Sequence, residues 1–198
     1  MNNYSTLSYF SFFCKSLNIP TLLTLIRFLL IPFICMSIST NSWDRALLLF
    51  LIAAITDVLD GALARATNSE TTLGAYLDPL ADKCLILFSF WSLSFCNFSC
   101  FKIPDWFNVA LLTKELLLVL AAAYFGMVRN SIKIKPSIIG KGANLIQSIC
   151  VAMLFFAGLY GINIGHFLNQ ILFFILIISF GALLHYFWIG YKELKHED

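Results

Sequence analysis

Residues 57–82 read DVLDGALARATNSETTLGAYLDPLAD, and this stretch sets four aspartates, Asp57, Asp60, Asp78 and Asp82, in a chain that is otherwise lipid-soluble. Asp57, Asp60, Gly61 and Ala64 recur at i, i+3, i+4 and i+7, one face of a helix, while Gly74, Asp78 and Asp82 recur at i, i+4 and i+8 on another. The spacing predicts two helices that each aim two carboxylates at a common point. A charge at mid-bilayer costs roughly 2.5–3.5 kcal/mol per Asp on the mild insertion scale, so four together oppose insertion by on the order of 10 kcal/mol. Something must offset that cost, and a bound cation is the simplest candidate.

Outward from this window, 60% hydrophobic and 12% charged residues put the 198-residue chain in the polytopic membrane class. A mean hydropathy of +0.84 agrees. Apolar runs of spanning length fall at Thr21–Thr40, Ala46–Ala64, Ala75–Phe95, Trp106–Val128, Ala143–Tyr160 and Leu168–Gly190. The fold expected is all-α, a polytopic membrane protein with six transmembrane helices. Met1–Ser16 lacks the basic start and small-residue cleavage site of a signal peptide. Its aromatic run Tyr9–Phe13, followed by Lys15, reads instead as an N-terminal interfacial helix. No repeat or low-complexity tract appears, so residues 1–198 are expected to form a single integral membrane domain.

Lys15, Arg65, Arg129, Lys133, Lys135, Lys141, Lys192 and Lys195 fall on one side of such a topology, against Arg45 and Lys102 on the other. Cationic loops stay on the cytoplasmic side, so both termini and the carboxylate cluster are expected to face the cytoplasm. A net charge of +2, with no basic run carrying stacking aromatics, argues against a nucleic-acid partner. The six cysteines show no CxxC pair and no neighbouring His, which argues against a thiolate metal site. Cys96 and Cys100 share a loop expected to face outward, where packing is the commoner role and a disulfide the rarer one.

Hard oxygen ligands favour Mg²⁺ or Mn²⁺ over zinc or copper. Gly61 and Gly74 allow a ligand or backbone to approach where a Cβ would clash, and the Arg65 guanidinium can pair bidentately with phosphate. Together these residues describe a diphosphate site in which two metal ions bridge phosphate oxygens and one carboxylate serves as base. Pro79 has two readings: inside a helix it deprives the Ala75 carbonyl of its donor and kinks the axis, whereas in a first turn it is tolerated. Lys114 and Glu115 lie near the middle of the fourth run. Adjacent helical residues do not face each other, so each is expected to need its own partner, with Lys114 or Arg27 open for Glu115. Gly161 and Gly165 have GxxxG spacing, but at a span end with Asn163 between them a loop is the better reading. His166, His185 and His196 form no motif.

The run Asp57-x2-Asp60-Gly61-x2-Ala64-Arg65-x8-Gly74-x3-Asp78-x3-Asp82 resembles the signature of the CDP-alcohol phosphatidyltransferase family. The resemblance extends to the six spans and to the segment Asn18-Ile19-Pro20-Thr21-Leu22-Leu23-Thr24-Leu25-Ile26-Arg27, so it covers nearly the whole chain. It implies transfer of a phosphatidyl group from CDP-diacylglycerol to an alcohol with release of CMP. It also implies that Asp57, Asp60 and Asp78 are chiefly metal ligands, and that Asp82 is the catalytic base and touches a metal. Gly61, Ala64, Arg65 and Gly74 would shape the CDP pocket, with Asp57 also meeting the nucleotide, and a homodimer is implied as well.

Asn18-Ile19-Pro20 with Thr24 and Arg27, the run from Asp78 to Lys83, Lys114-Glu115 and Lys135-Pro136-Ser137-x2-Gly140-Lys141 resemble the bacterial branch that forms phosphatidylglycerolphosphate from sn-glycerol 3-phosphate. Lys133, Lys135 and Lys141 are the expected acceptor-binding residues, since a phosphorylated acceptor needs positive charge beside the metal site. The bacterial inner membrane is the corresponding location. The apolar Leu116–Phe125 stretch also resembles cardiolipin synthases that use phosphatidylglycerol as acceptor. A cation-coupled transporter fits less well, because all four aspartates lie in one window and no second half mirrors it.

Overall fold

The computed structural model describes residues 19–67, 72–95, 101–128 and 138–195, and every regular element among them is an α-helix. These are α1 (Ile19–Ser39), α2 (Trp43–Thr67), α3 (Thr72–Phe95), α4 (Asp105–Val128), α5 (Ile138–Tyr160) and α6 (Gly165–Lys195). Each apolar run drawn from the sequence lies inside one helix, except that Thr40 falls one residue beyond α1. Among the described residues, three helices contain stretches long and apolar enough to cross a membrane: Leu22–Ser39, Gly140–Tyr160 and Gly165–Gly190. The other three carry most of the acidic and basic residues found in helices. Asp44, Arg45, Asp57, Asp60 and Arg65 lie on α2, Asp78, Asp82 and Lys83 on α3, and Asp105, Lys114 and Glu115 on α4. The expected interfacial helix at Tyr9–Phe13 and Lys15 lies outside the described residues, as do Lys133, Lys135, Cys96 and Cys100.

The chain divides into two compact units within α3, between Ser89 and Phe90. In the first, α1 packs along α2. The buried stripe of α1 runs Thr24, Arg27, Ile31, Ile34, Ile38, alternating steps of three and four as one helix face requires. Its opposite stripe, Leu22, Ile26, Leu29, Phe33 and Met36, is exposed and wholly apolar, the pattern of a helix whose outer face meets lipid. On α2 the buried stripe is Ala46, Phe50, Ala53, and Asp57 is the next position along it. Both stripes change from apolar to polar towards the same end of the helix pair, and that change positions the site.

Residues 40–42 alone join α1 to α2. Asn41 adopts φ 54°, a left-handed conformation that Asn tolerates better than most residues. Its N–H donates to the Ile38 carbonyl at 3.0 Å and the Ser42 N–H to the Ser37 carbonyl at 2.9 Å, capping α1. The same pair of bonds closes α5, where Gly161 takes φ 64° and the Ile162 N–H donates to the Ala157 carbonyl at 2.9 Å. Gly161 is therefore a turn residue, as the sequence suggested.

In the second unit α6 packs against both α4 and α5. Ser94, near the end of α3, donates to the Ile103 carbonyl at 3.2 Å and to Asp105 Oδ1 at 2.9 Å, tying the entry of α4 to the preceding helix. Between α5 and α6 the buried Gln147 donates through Nε2 to Ser179 Oγ at 2.7 Å. A buried amide needs such a partner, because an unsatisfied donor costs about 1–3 kcal/mol.

Candidate active site

The polar ends of the stripes meet at Arg27. Its side chain is fully buried, and Nη1 lies 3.0 Å from Asp57 Oδ1 on α2 and 2.5 Å from Asp82 Oδ1 on α3. One turn earlier on α1, the buried Thr24 hydroxyl donates to Asp78 Oδ1. Three helices thus contribute to one polar cluster. The two carboxylate oxygens that share Nη1 are no further apart than those two distances laid end to end, although their residues belong to consecutive helices. Asp57 and Asp82 keep 41% and 30% side-chain exposure, so the carboxylates open outward while their arginine does not.

Asp57 on α2 and Asp82 on α3 therefore meet at one guanidinium, while Asp78 is held by Thr24 one turn earlier on α1. Asp60, Gly61, Ala64 and Arg65 lie on α2 and Gly74 on α3, where the description is of helix backbone alone. Asp60 follows Asp57 by three residues, the next position on the same helix stripe. Pro79 is the eighth residue of α3, inside the helix, so the reading in which the Ala75 carbonyl loses its donor holds and the first-turn reading does not. Of the expected acceptor lysines, Lys141 lies exposed in the first turn of α5.

For Glu115 the structure selects Lys114, one of the two partners left open, and corrects the expectation that each of the two residues needs a separate partner. They pair with each other, Lys114 Nζ lying 2.5 Å from Glu115 Oε1, both buried on α4. Cβ atoms at adjacent helical positions diverge, but a four-carbon stem is long enough to curl its ammonium back to the neighbouring carboxylate.

Sequence reasoning gave Arg27 and Thr24 no place in the site beyond a family likeness. The signal was present: Arg27 is the one ionised side chain in a predominantly apolar helix, where such a group is functional by default, and a hydroxyl stands three residues before it.

The donor set suits a hard divalent cation. All three described acids present oxygen, two of them already converge on one positive charge, and both retain an open side. Among the described residues no group of three or more His, Cys, Asp or Glu side chains closes on a single point. Asp60 is the acid whose side chain lies outside that description.

Among the described residues, helices apolar enough to span a membrane and acids that gather at one end of the buried stripes define an integral membrane protein with a polar site. The chain belongs to the CDP-alcohol phosphatidyltransferase family, which it matches over residues 17–186. It is 30% identical over 182 residues to the CDP-diacylglycerol–glycerol-3-phosphate 3-phosphatidyltransferase of Aquifex aeolicus, covering 91% of this chain and all of that relative. The enzyme of the same name from Wigglesworthia glossinidia brevipalpis is 29% identical over 191 residues, covering 90% of this chain and 97% of the relative. Its Escherichia coli K12 counterpart is 51% identical over 72 residues, 35% of this chain and 40% of that protein.

Proposed function

We propose that this protein transfers the phosphatidyl group of CDP-diacylglycerol to sn-glycerol 3-phosphate and releases CMP. The observation that carries the reading is the convergence of Asp57 and Asp82 from different helices on one buried cation, with Asp78 held alongside by Thr24. The names of the full-length relatives support the choice of substrates.

Asp57, Asp60, Asp78 and Asp82 would hold two divalent ions, Mg²⁺ or Mn²⁺, which when bound neutralise diphosphate charge. Asp82 takes the proton of the acceptor hydroxyl. The acceptor oxygen forms a bond to the phosphatidyl phosphorus as the bond from that phosphorus to the CMP oxygen breaks, and the electron pair leaves with CMP. Gly61, Ala64 and Gly74 provide close approach for the nucleotide, and Arg65 a fixed charge for its phosphates. Lys133, Lys135 and Lys141 supply countercharge to the acceptor phosphate.

Residues 1–198 act as one integral membrane domain with six spans and an interfacial N-terminal helix, as a homodimer in the bacterial inner membrane. Lys141 at the start of α5 and Lys192 near the end of α6 lie at matching ends of that helix pair, which supports a cytoplasmic placement of that end of the pair by the positive-inside rule.

Purified protein given CDP-diacylglycerol and a panel of glycerol 3-phosphate, phosphatidylglycerol, serine and inositol tests the reading. We expect CMP release and phosphatidylglycerolphosphate with glycerol 3-phosphate alone, abolished by a chelator and restored by Mg²⁺ or Mn²⁺. Cardiolipin formed from phosphatidylglycerol, with glycerol 3-phosphate ignored, would overturn the acceptor.

A further inference from the structure

The cation that Asp57 and Asp82 share in this structure belongs to the protein itself. Arg27 has no exposed side-chain surface, whereas both carboxylates remain partly open. The guanidinium thus occupies the inner side of the two acids, and an ion from solution reaches them from the outer side. Resting on the metal-dependent reading above, we infer that Arg27 is a built-in counter-cation: it holds Asp57 and Asp82 together and keeps their affinity for a divalent metal low until a diphosphate arrives.

Three physical points carry this. Two carboxylates on separate helices repel, and a shared positive charge removes the repulsion and fixes their approach. The guanidinium cannot lose its proton in a protein, so unlike lysine or histidine it does not become neutral to make way for a metal. A metal entering the site must therefore either displace Arg27 from the acids or bind with a fixed positive charge a few ångströms away. At that separation, with an effective dielectric constant of about 20, repulsion is large enough to weaken binding by an order of magnitude or more. The negative charges of a bound nucleoside diphosphate offset it. Metal and diphosphate then bind together better than either binds alone, and the coupling is reciprocal.

Mn²⁺ titration of detergent-purified protein, followed by electron paramagnetic resonance with and without CDP, tests the inference without measuring turnover. In the wild type, CDP should tighten Mn²⁺ binding at least tenfold. Arg27→Gln should tighten Mn²⁺ binding at least tenfold without CDP and shrink the effect of CDP, whereas Arg27→Lys, which keeps the charge, should stay within a few-fold of wild type. A merely structural arginine predicts the opposite, since loosening the acids would weaken Mn²⁺ binding in Arg27→Gln. Equal or weaker binding in that variant overturns the inference. So does wild-type binding indifferent to CDP, a result that needs no variant to fold. A wild type that binds no Mn²⁺ under either condition overturns the metal-dependent reading, and the role of Arg27 with it.

Discussion

Asp82→Asn removes one charge and preserves the side-chain shape, and two consequences can be sized separately. Removing one partner of a buried ion pair costs about 3–5 kcal/mol when nothing replaces it. Here Asp57 still lies 3.0 Å from the same guanidinium nitrogen, Asp82 is 30% exposed, and the amide oxygen remains an acceptor. The stability loss should accordingly be about 1–2 kcal/mol, of the order of one lost charged hydrogen bond, and the protein should fold. Catalysis should suffer more, because a positioned general base contributes typically 10²–10⁴-fold. CMP release at saturating substrates should fall by about 10²-fold or more, while CDP-diacylglycerol binding and detergent-solubilised folding persist. The measurement pairs turnover with thermal unfolding and lipid-substrate binding on the same preparation. Turnover within tenfold of wild type would refute the base assignment, and so would a loss matched by an equal loss of CDP-diacylglycerol binding.

Lys141→Gln and Lys135→Gln should each raise KM for glycerol 3-phosphate several-fold and leave KM for CDP-diacylglycerol nearly unchanged, because a point charge facing the acceptor phosphate is all that is lost. Steady-state kinetics with each substrate varied in turn would decide this, and unchanged acceptor KM in both variants would remove these lysines from the site. Ser179→Ala should cost about 1–3 kcal/mol by depriving the buried Gln147 amide of its acceptor. The double change Gln147→Leu with Ser179→Ala should recover much of that loss in thermal unfolding. If the double variant is as unstable as the single one, the pair acts through packing volume instead.

The six helices were legible because apolar length is a strong signal and the loops between runs are short. Asp57 and Asp82 were legible as partners because helical periodicity sets which residues share a face. What periodicity does not carry is rotation of one helix about its axis relative to its neighbours. That rotation decides that Thr24 meets Asp78 and that Arg27 meets Asp57 and Asp82. Lys114 shows a second limit: a flexible side chain reaches a partner that Cβ geometry argues against.

The three-residue turn at 40–42 bears on how the protein is made. A helix bearing Asp44, Arg45, Asp57, Asp60 and Arg65 is a poor candidate to enter lipid by itself. Joined so closely to α1, it enters on the six-span reading as the second arm of a helical hairpin, carried by a neighbour that partitions readily. Chain order adds to this. The ribosome releases Arg27 before Asp57 and Asp57 before Asp82, so each acid reaches the bilayer with its countercharge already there, and none of them has to wait in hydrocarbon for a metal.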